Sequence, residues 1–413
     1  MPRTYHDHLD TWAKTCLTGI FLAFPISLAF ANLLLALTLL FWVLAGRFRM
    51  RWESVRHNPV TVPALFIYAM ILFGALYSPA SVQEIGLHLG KYSKFLFVVV
   101  AVSLLQEPVW RGRCWLAFQA AMFITLASTY ANVWLDLPWS VTHNQGLGVD
   151  HTVFQDHIAQ GIMMTLFALI ALQKAWLGRT GAMGWFWLTV ALLAIGNVTH
   201  LTGSRTAFLS LMAALLALGL TVVPKRWRLG LAITAVLTAG LLVLSSSRLQ
   251  QQATRGWSEL RGDYKAEISS VGARVRMWEI SVAHIKEHPL LGTGTGSYHE
   301  VMRKALSDDA WCAIACAHPH NQFLFFGVEH GLMGILALTF YFYRPLRYGG
   351  GLGLHHQALL AGFMAIFAVD SMTHGPMWLA RENFFFSFVL ALLVAGLTVH
   401  SKLSSVSEHQ AGP

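Results

Sequence analysis

Residues 15 to 45 read TCLTGIFLAFPISLAFANLLLALTLLFWVLA, without one charged side chain. A run of that length and composition belongs in hydrocarbon, where about 20 apolar residues in a helix cross roughly 30 Å. Its only breaks are around Pro25 and Asn32, so it reads either as two crossings, near 15–28 and 30–46, or as one long tilted helix that would invert everything after it. Working outward, apolar runs of similar length recur near 60–77, 88–105, 114–132, 157–175, 184–200, 205–223, 228–245, 320–341, 356–372 and 384–400. Lipid offers backbone groups no partners, which leaves the helix as the spanning element. The prediction is an all-α polytopic membrane protein with about twelve transmembrane helices.

Composition and charge agree. Of 413 residues 55% are hydrophobic and 12% charged, and the mean hydropathy is +0.53, outside the range of soluble domains. With the N-terminus inside, the cytoplasmic segments collect Arg47, Arg49, Arg51, Arg56, Arg111, Arg113, Lys225, Arg226, Arg228, Arg344 and Arg347, while the short external loops hold Lys91, Lys94, Arg205 and Arg381. The long loop over 246–319 is exempt, because long loops translocate whatever their charge. The formal net charge of +9 is therefore a topology signal and argues against a nucleic-acid partner. The first apolar run is too long for a cleavable signal peptide and is expected to stay as an anchor. The chain divides into helices over 1–245, a periplasmic loop domain over 246–319, and final helices with a cytoplasmic tail over 320–413.

Within the loop, the residues from Arg274 to His288 carry Trp278, Val282 and Ile285 at helical spacing, and Pro289 stops the helix. Arg274 lies one turn before Trp278 on the same stripe, which turns its guanidinium toward the membrane domain. Cys312 and Cys316 form a disulfide or remain two thiols, while Cys16 and Cys114 lie in spans as packing residues.

Unusual side chains gather at the external edge. Thr199, His200, Thr202, Gly203 and Ser204 lead into a span that begins with Arg205. An arginine there is opposed by the helix dipole and by desolvation, unless an anion offsets it, and the free N–H groups of a helix start suit a phosphate. The bland reading of Arg205 is snorkelling to lipid headgroups. The segment Ala317, His318, Pro319, His320, Asn321 opens another span; Pro319 fits a first-turn position, which puts His320 at a helix N-terminus with a neutral, proton-accepting ring. Cys312, Cys316, His318 and His320 are too compressed for a known zinc spacing, so no metal is expected. Gly292, Thr293, Gly294, Thr295, Gly296 and Ser297 lack the lysine of a phosphate loop and read as a tight turn. Glu279, Glu287, Glu300, Asp308, Asp309, Asp150, Asp156 and Asp370 are candidate bases, of which most are solvated; Asp156 with His157 at the mouth of a span stands out.

Three motifs together resemble the bacterial O-antigen ligases and the related O-antigen polymerase superfamily. They are Thr202-Gly203-Ser204-Arg205-Thr206-Ala207; Gly272-Ala273-Arg274 with Trp278, followed by His288-Pro289-Leu290-Leu291-Gly292-Thr293-Gly294; and His320-Asn321, nine residues, then Gly331 and Gly334. The resemblance implies a GT-C-like membrane glycosyltransferase in the bacterial inner membrane, with its active site facing the periplasm. It implies a glycan donor on undecaprenyl pyrophosphate, an acceptor hydroxyl on lipid A-core, inversion at the anomeric carbon, and neither cofactor nor metal. Residue by residue, His320 is the expected base and Arg205 with Arg274 the pyrophosphate clamp. Further candidate contacts are Asn321, Ser204, His318, Arg276, Lys91 and Arg381, with Lys94 beside them. The alternatives are an O-antigen polymerase, a protein O-oligosaccharyltransferase, or a polytopic transporter. The transporter is disfavoured by the absence of similar halves and of charge at mid-membrane depth.

Overall fold

The computed structural model describes residues 5–143, 150–261, 270–306, 312–313 and 315–398, and all regular structure in them is helical. Asp308 and Asp309 lie outside the described residues. Pro25 does divide the opening run. Helix α1 (Tyr5–Ala23) ends before it, and α2 (Leu28–Ala45) begins after Ser27, whose hydroxyl accepts the Phe30 N–H at 3.4 Å. The two pack against each other as a hairpin.

The remaining helices are α3 (Phe48–Val55), α4 (Thr61–Tyr77), α5 (Val82–Tyr92), α6 (Lys94–Leu104), α7 (Pro108–Ala131), α8 (His157–Leu177), α9 (Ala182–Gly196), α10 (Arg205–Val222), α11 (Arg228–Ser245), α12 (Ser247–Arg261), α13 (Ser270–Glu287), α14 (Tyr298–Ala305), α15 (Gln322–Tyr348), α16 (Leu354–Thr373) and α17 (Ala380–Val394). Each expected span coincides with a helix over most of its described length, and among the described residues 8 helical segments are long and apolar enough to cross a membrane on length and composition: Leu28–Ala45, Val82–Leu104, Pro108–Ala131, His157–Leu177, Ala182–Leu201, Arg205–Val222, Lys225–Ser245 and Gln322–Gly351. The all-α polytopic architecture expected from the sequence is the one observed, and Thr61–Tyr77 adds a shorter apolar helix to these segments. Helix α1 carries Asp7, Asp10 and Lys14, α16 carries His355, His356, Gln357 and Asp370, and α4 and α17 have 17 and 15 residues. The chain is a multi-pass membrane protein.

Burial sorts the helices. From Ala159 to Ala171 every residue of α8 is buried, and α10 packs on both α8 and α16. By contrast α11 buries none of its residues and exposes Leu229, Ile233, Val236, Leu237, Leu241 and Leu244, the composition of a lipid-facing surface.

The glycines of the second and third motifs explain how the loop docks. Gly331 interrupts α15 with φ +61°, and the Leu332 N–H donates to the Pro289 carbonyl at 2.8 Å. A Cβ on Gly331 would lie 2.5 Å from the Leu290 carbonyl, so only glycine permits the contact. The Gly292–Ser297 turn uses positive φ at Gly292, Gly294 and Gly296. Its N–H groups are consumed: Gly294 donates to the Glu329 carbonyl at 2.8 Å, Thr295 to Gly74 at 3.2 Å and Gly296 to Glu329 Oε1 at 3.0 Å. It is a structural turn wedged between α4 and α15.

Candidate active site

The first wall is made by the start of α10. A single π-helical turn (Asn197–Leu201) carries the chain into Thr202, whose N–H donates to the Asn197 carbonyl at 2.9 Å. Ser204 then caps α10, its hydroxyl accepting the Ala207 N–H at 3.1 Å. Arg205 is thereby fixed in the first helical turn.

The second wall is α13. Trp278 donates its indole N–H to the Pro319 carbonyl at 2.9 Å, and this bond holds Arg274, one turn earlier, beside the histidine segment. Burial and the neighbouring Arg205 charge pull Arg274 below the usual arginine range, while Glu259 opposes them. Among the described residues neither Arg205 nor Arg274 forms an ion pair. Two cations held against their mutual repulsion make a receptor for a multiply charged anion. The expected stripe of α13 is shifted: Ala273, Met277 and Ser281 are buried, and Val282 is exposed. Its residues belong to a helix that rolls Trp278 toward Pro319 and leaves Arg274 half-buried.

The third wall corrects the reading of His320. Helix α15 starts at Gln322 with Asn321 as its cap, so Pro319 precedes the helix and His320 does not project from its first turn. His320 instead adopts φ +50°, a conformation sparsely used by residues with a side chain. His318 is not free to point anywhere: it is buried, and its Nδ1 accepts the His320 N–H at 3.3 Å. The two rings meet edge to face with centroids 4.2 Å apart. Both are neutral. Burial, then the charges of His318, Arg274 and His374, drive His320 down to about 2. Burial, then His374, Lys91 and Arg274, drive His318 down to about 3.

The cluster has a third ring, which the sequence did not single out. His374, just past α16, stacks on His320 at 5.3 Å and 18°. Its Nδ1 lies 3.4 Å from Glu382 and 3.9 Å from Asp370, both buried. Burial pulls His374 down, but the Glu382 contact and the Asp370 and Asp156 charges outweigh it and raise the ring above the ordinary histidine range. One ring nitrogen from each of His318, His320 and His374 lies within 4.8 Å of the other two, close enough to share a cation. Arg274 and Lys91 act on these rings with the opposite preference, which fits an anion better.

Residues 188–339 match the family model described as O-antigen ligase, a span that contains both arginines and His320. Over that span the chain is similar to the O-antigen ligases. An uncharacterized protein of Haemophilus influenzae is 26% identical over 205 residues, which cover 46% of this chain and 51% of that relative, so the match spans about half the length of the curated relative.

The other expected contacts divide. Lys91 sits over the Trp378 ring at 3.3 Å, and its charge reaches His318. Lys94 instead faces the Phe384 and Phe97 rings. Arg381 pairs with Asp156 at 3.5 Å, and Asp156 caps α8. Asn321 accepts from Phe323 and Leu324 and donates to the Met372 carbonyl, which uses both ends of its side chain. Arg276 pairs with Glu279 at 3.7 Å and lines a separate cavity of about 540 Å³ with His284, Glu287 and His288. Cys312 and Cys316 form a disulfide, which removes them as metal ligands.

Charge inside the helices was also underestimated. Glu329 is buried in α15, 3.0 Å from His88 of α5, with His330 beside it. Asp370 and Glu382 are buried as well. The one signal of the His374 cluster in the chain is the i, i+4 spacing of Asp370 and His374.

Proposed function

We propose that the chain transfers a glycan from undecaprenyl pyrophosphate to a sugar hydroxyl of lipid A-core, at the periplasmic face of the bacterial inner membrane. The observation that carries this is the convergence of Arg205, Arg274 and a neutral His320 at one edge of the helix bundle. The arginines neutralise the pyrophosphate and make it a better leaving group. The acceptor oxygen attacks the anomeric carbon from the opposite face, the glycosidic C–O bond breaks with its electrons going to phosphate, and configuration inverts. His320 takes the hydroxyl proton. A ring as weakly basic as this one needs help, and the negative charge of bound pyrophosphate supplies part of it by lifting His320 from about 2.

A polymerase differs in the acceptor, which would be a second lipid-linked glycan. Protein in proteoliposomes, supplied with lipid-pyrophosphate glycan and lipid A-core, should give core of higher mass. Extension of the lipid-linked glycan with untouched core would assign the polymerase reaction instead, and no product from either acceptor would overturn glycosyl transfer.

A further inference from the structure

Removing a proton through His320 poses a problem that geometry answers. The ring is enclosed by His318, Arg274 and His374, and its buried Nδ1 has no hydrogen-bond partner among the described residues. A proton placed there has to move on. Across the stack lies His374, the one ring of the three with carboxylates against it: Glu382 from α17 at 3.4 Å and Asp370 from α16 at 3.9 Å. Asp370 is fully buried, and neither of its oxygens is hydrogen-bonded. That leaves an unsatisfied buried carboxyl group facing the cluster.

We propose that His374, backed by Glu382 and Asp370, is a positioning residue that acts through His320 as the sink for the acceptor proton. The inference rests on the reading of His320 as the base. The balance is as follows. The acceptor O–H bond breaks and its proton goes to one His320 nitrogen, while the oxygen bonds the anomeric carbon and pyrophosphate leaves with the electron pair. His320 releases the proton on its other nitrogen toward His374, with one nitrogen of each ring within 4.8 Å of the other, a gap that one bridging water spans. His320 returns to neutral, and His374 becomes an imidazolium facing Glu382 and Asp370. Loss of that proton to solvent resets the pair.

The charges around His374 fix the pH sign. Facing it are Asp370 from its own helix, Glu382 from α17, Asp156 from the start of α8, and His318 and His320 from the approach to α15; Arg274 from α13 and Lys91 from α5 act on the latter two, and Arg381 is held by Asp156. The carboxylates raise the proton affinity of His374. His374 can receive a proton only while neutral, so turnover falls as pH drops through its raised range. Removing the Glu382 charge lowers that range and moves the acid limb to lower pH.

Glu382→Gln keeps the shape of the side chain and is measured with His374→Gln in proteoliposomes, as kcat against pH and as KM for the donor. The expected result is a kcat about 10-fold to 100-fold lower, an unchanged donor KM, and an acid limb displaced downward in Glu382→Gln, with Glu382→Asp restoring the limb. A uniform loss at every pH, or a loss confined to KM, would make the cluster merely structural and overturn the inference. Wild-type rates in His374→Gln would do the same. If the wild type transfers glycan and only the limb fails to move, this inference alone is wrong; an inactive wild type overturns the proposed function and takes the inference with it.

Discussion

His320 and His318 are held by different means, and that difference sets what each substitution does. His320 faces Arg274 and stacks on His374, whereas His318 supports it by accepting its backbone N–H. His320→Ala should cost about 10² to 10⁴ in rate with donor binding kept, since the arginines remain. His318→Ala should lose less, because it loosens the turn without removing the base. The reverse order, at matched expression, would exchange the two roles. Arg205 and Arg274 are expected to require their planar fork, so Arg205→Lys and Arg274→Lys should each reduce transfer about 10-fold or more, with the loss in donor affinity. Normal transfer by both would mean that charge alone suffices.

At the scale of elements, the site depends on two docking contacts. The Trp278 bond to the Pro319 carbonyl ties α13 to the histidine segment. Trp278→Phe keeps the ring and loses the N–H, at about 1 kcal/mol for the unmade bond. The expectation is a small fall in melting temperature and a larger fall in turnover, as Arg274 loses its register against His320. Equal effects on both would make the bond purely structural. The second contact is the Gly292–Ser297 turn against α4 and α15. At Gly294, φ is +98° and a Cβ would lie 2.7 Å from the Gly74 carbonyl, so Gly294→Ala should lower the melting temperature by several degrees, read by thermal unfolding in detergent. An unchanged value would show that the turn can shift.

For the whole molecule, the basic-residue asymmetry puts Arg226 inside and Trp257 outside. Arg51, although in a basic segment, is a poor probe: it is buried against Asp10 at 2.7 Å. Single cysteines at 226 and 257 are both at exposed positions, and an impermeant maleimide on intact cells should label only 257. Labelling of 226 would invert the topology. The cationic surroundings of the three histidines lead to a further expectation, that EDTA leaves transfer intact. Loss of transfer in EDTA, restored by zinc, would turn the same cluster into a metal site.

Hydrophobic length and glycine spacing act locally, and for that reason the chain declared them by itself. The run from 15 to 45 fixed a membrane protein, Pro25 placed the first turn, and the three motifs named Arg205, Arg274 and His320 before any contact was known. Helices α1 and α16 are less plainly apolar than the other spans, because they mix apolar faces with polar and charged side chains. The cap of α15 was misplaced by two residues, because Asn321 and Pro319 both suit a helix start and only packing against Met372 and Trp278 chose between them. The cluster of His374, Glu382 and Asp370 was decided by tertiary structure alone. Its members reach His320 from two other helices, and the burial that drives one ring down while two carboxylates raise its neighbour exists only once those helices are packed.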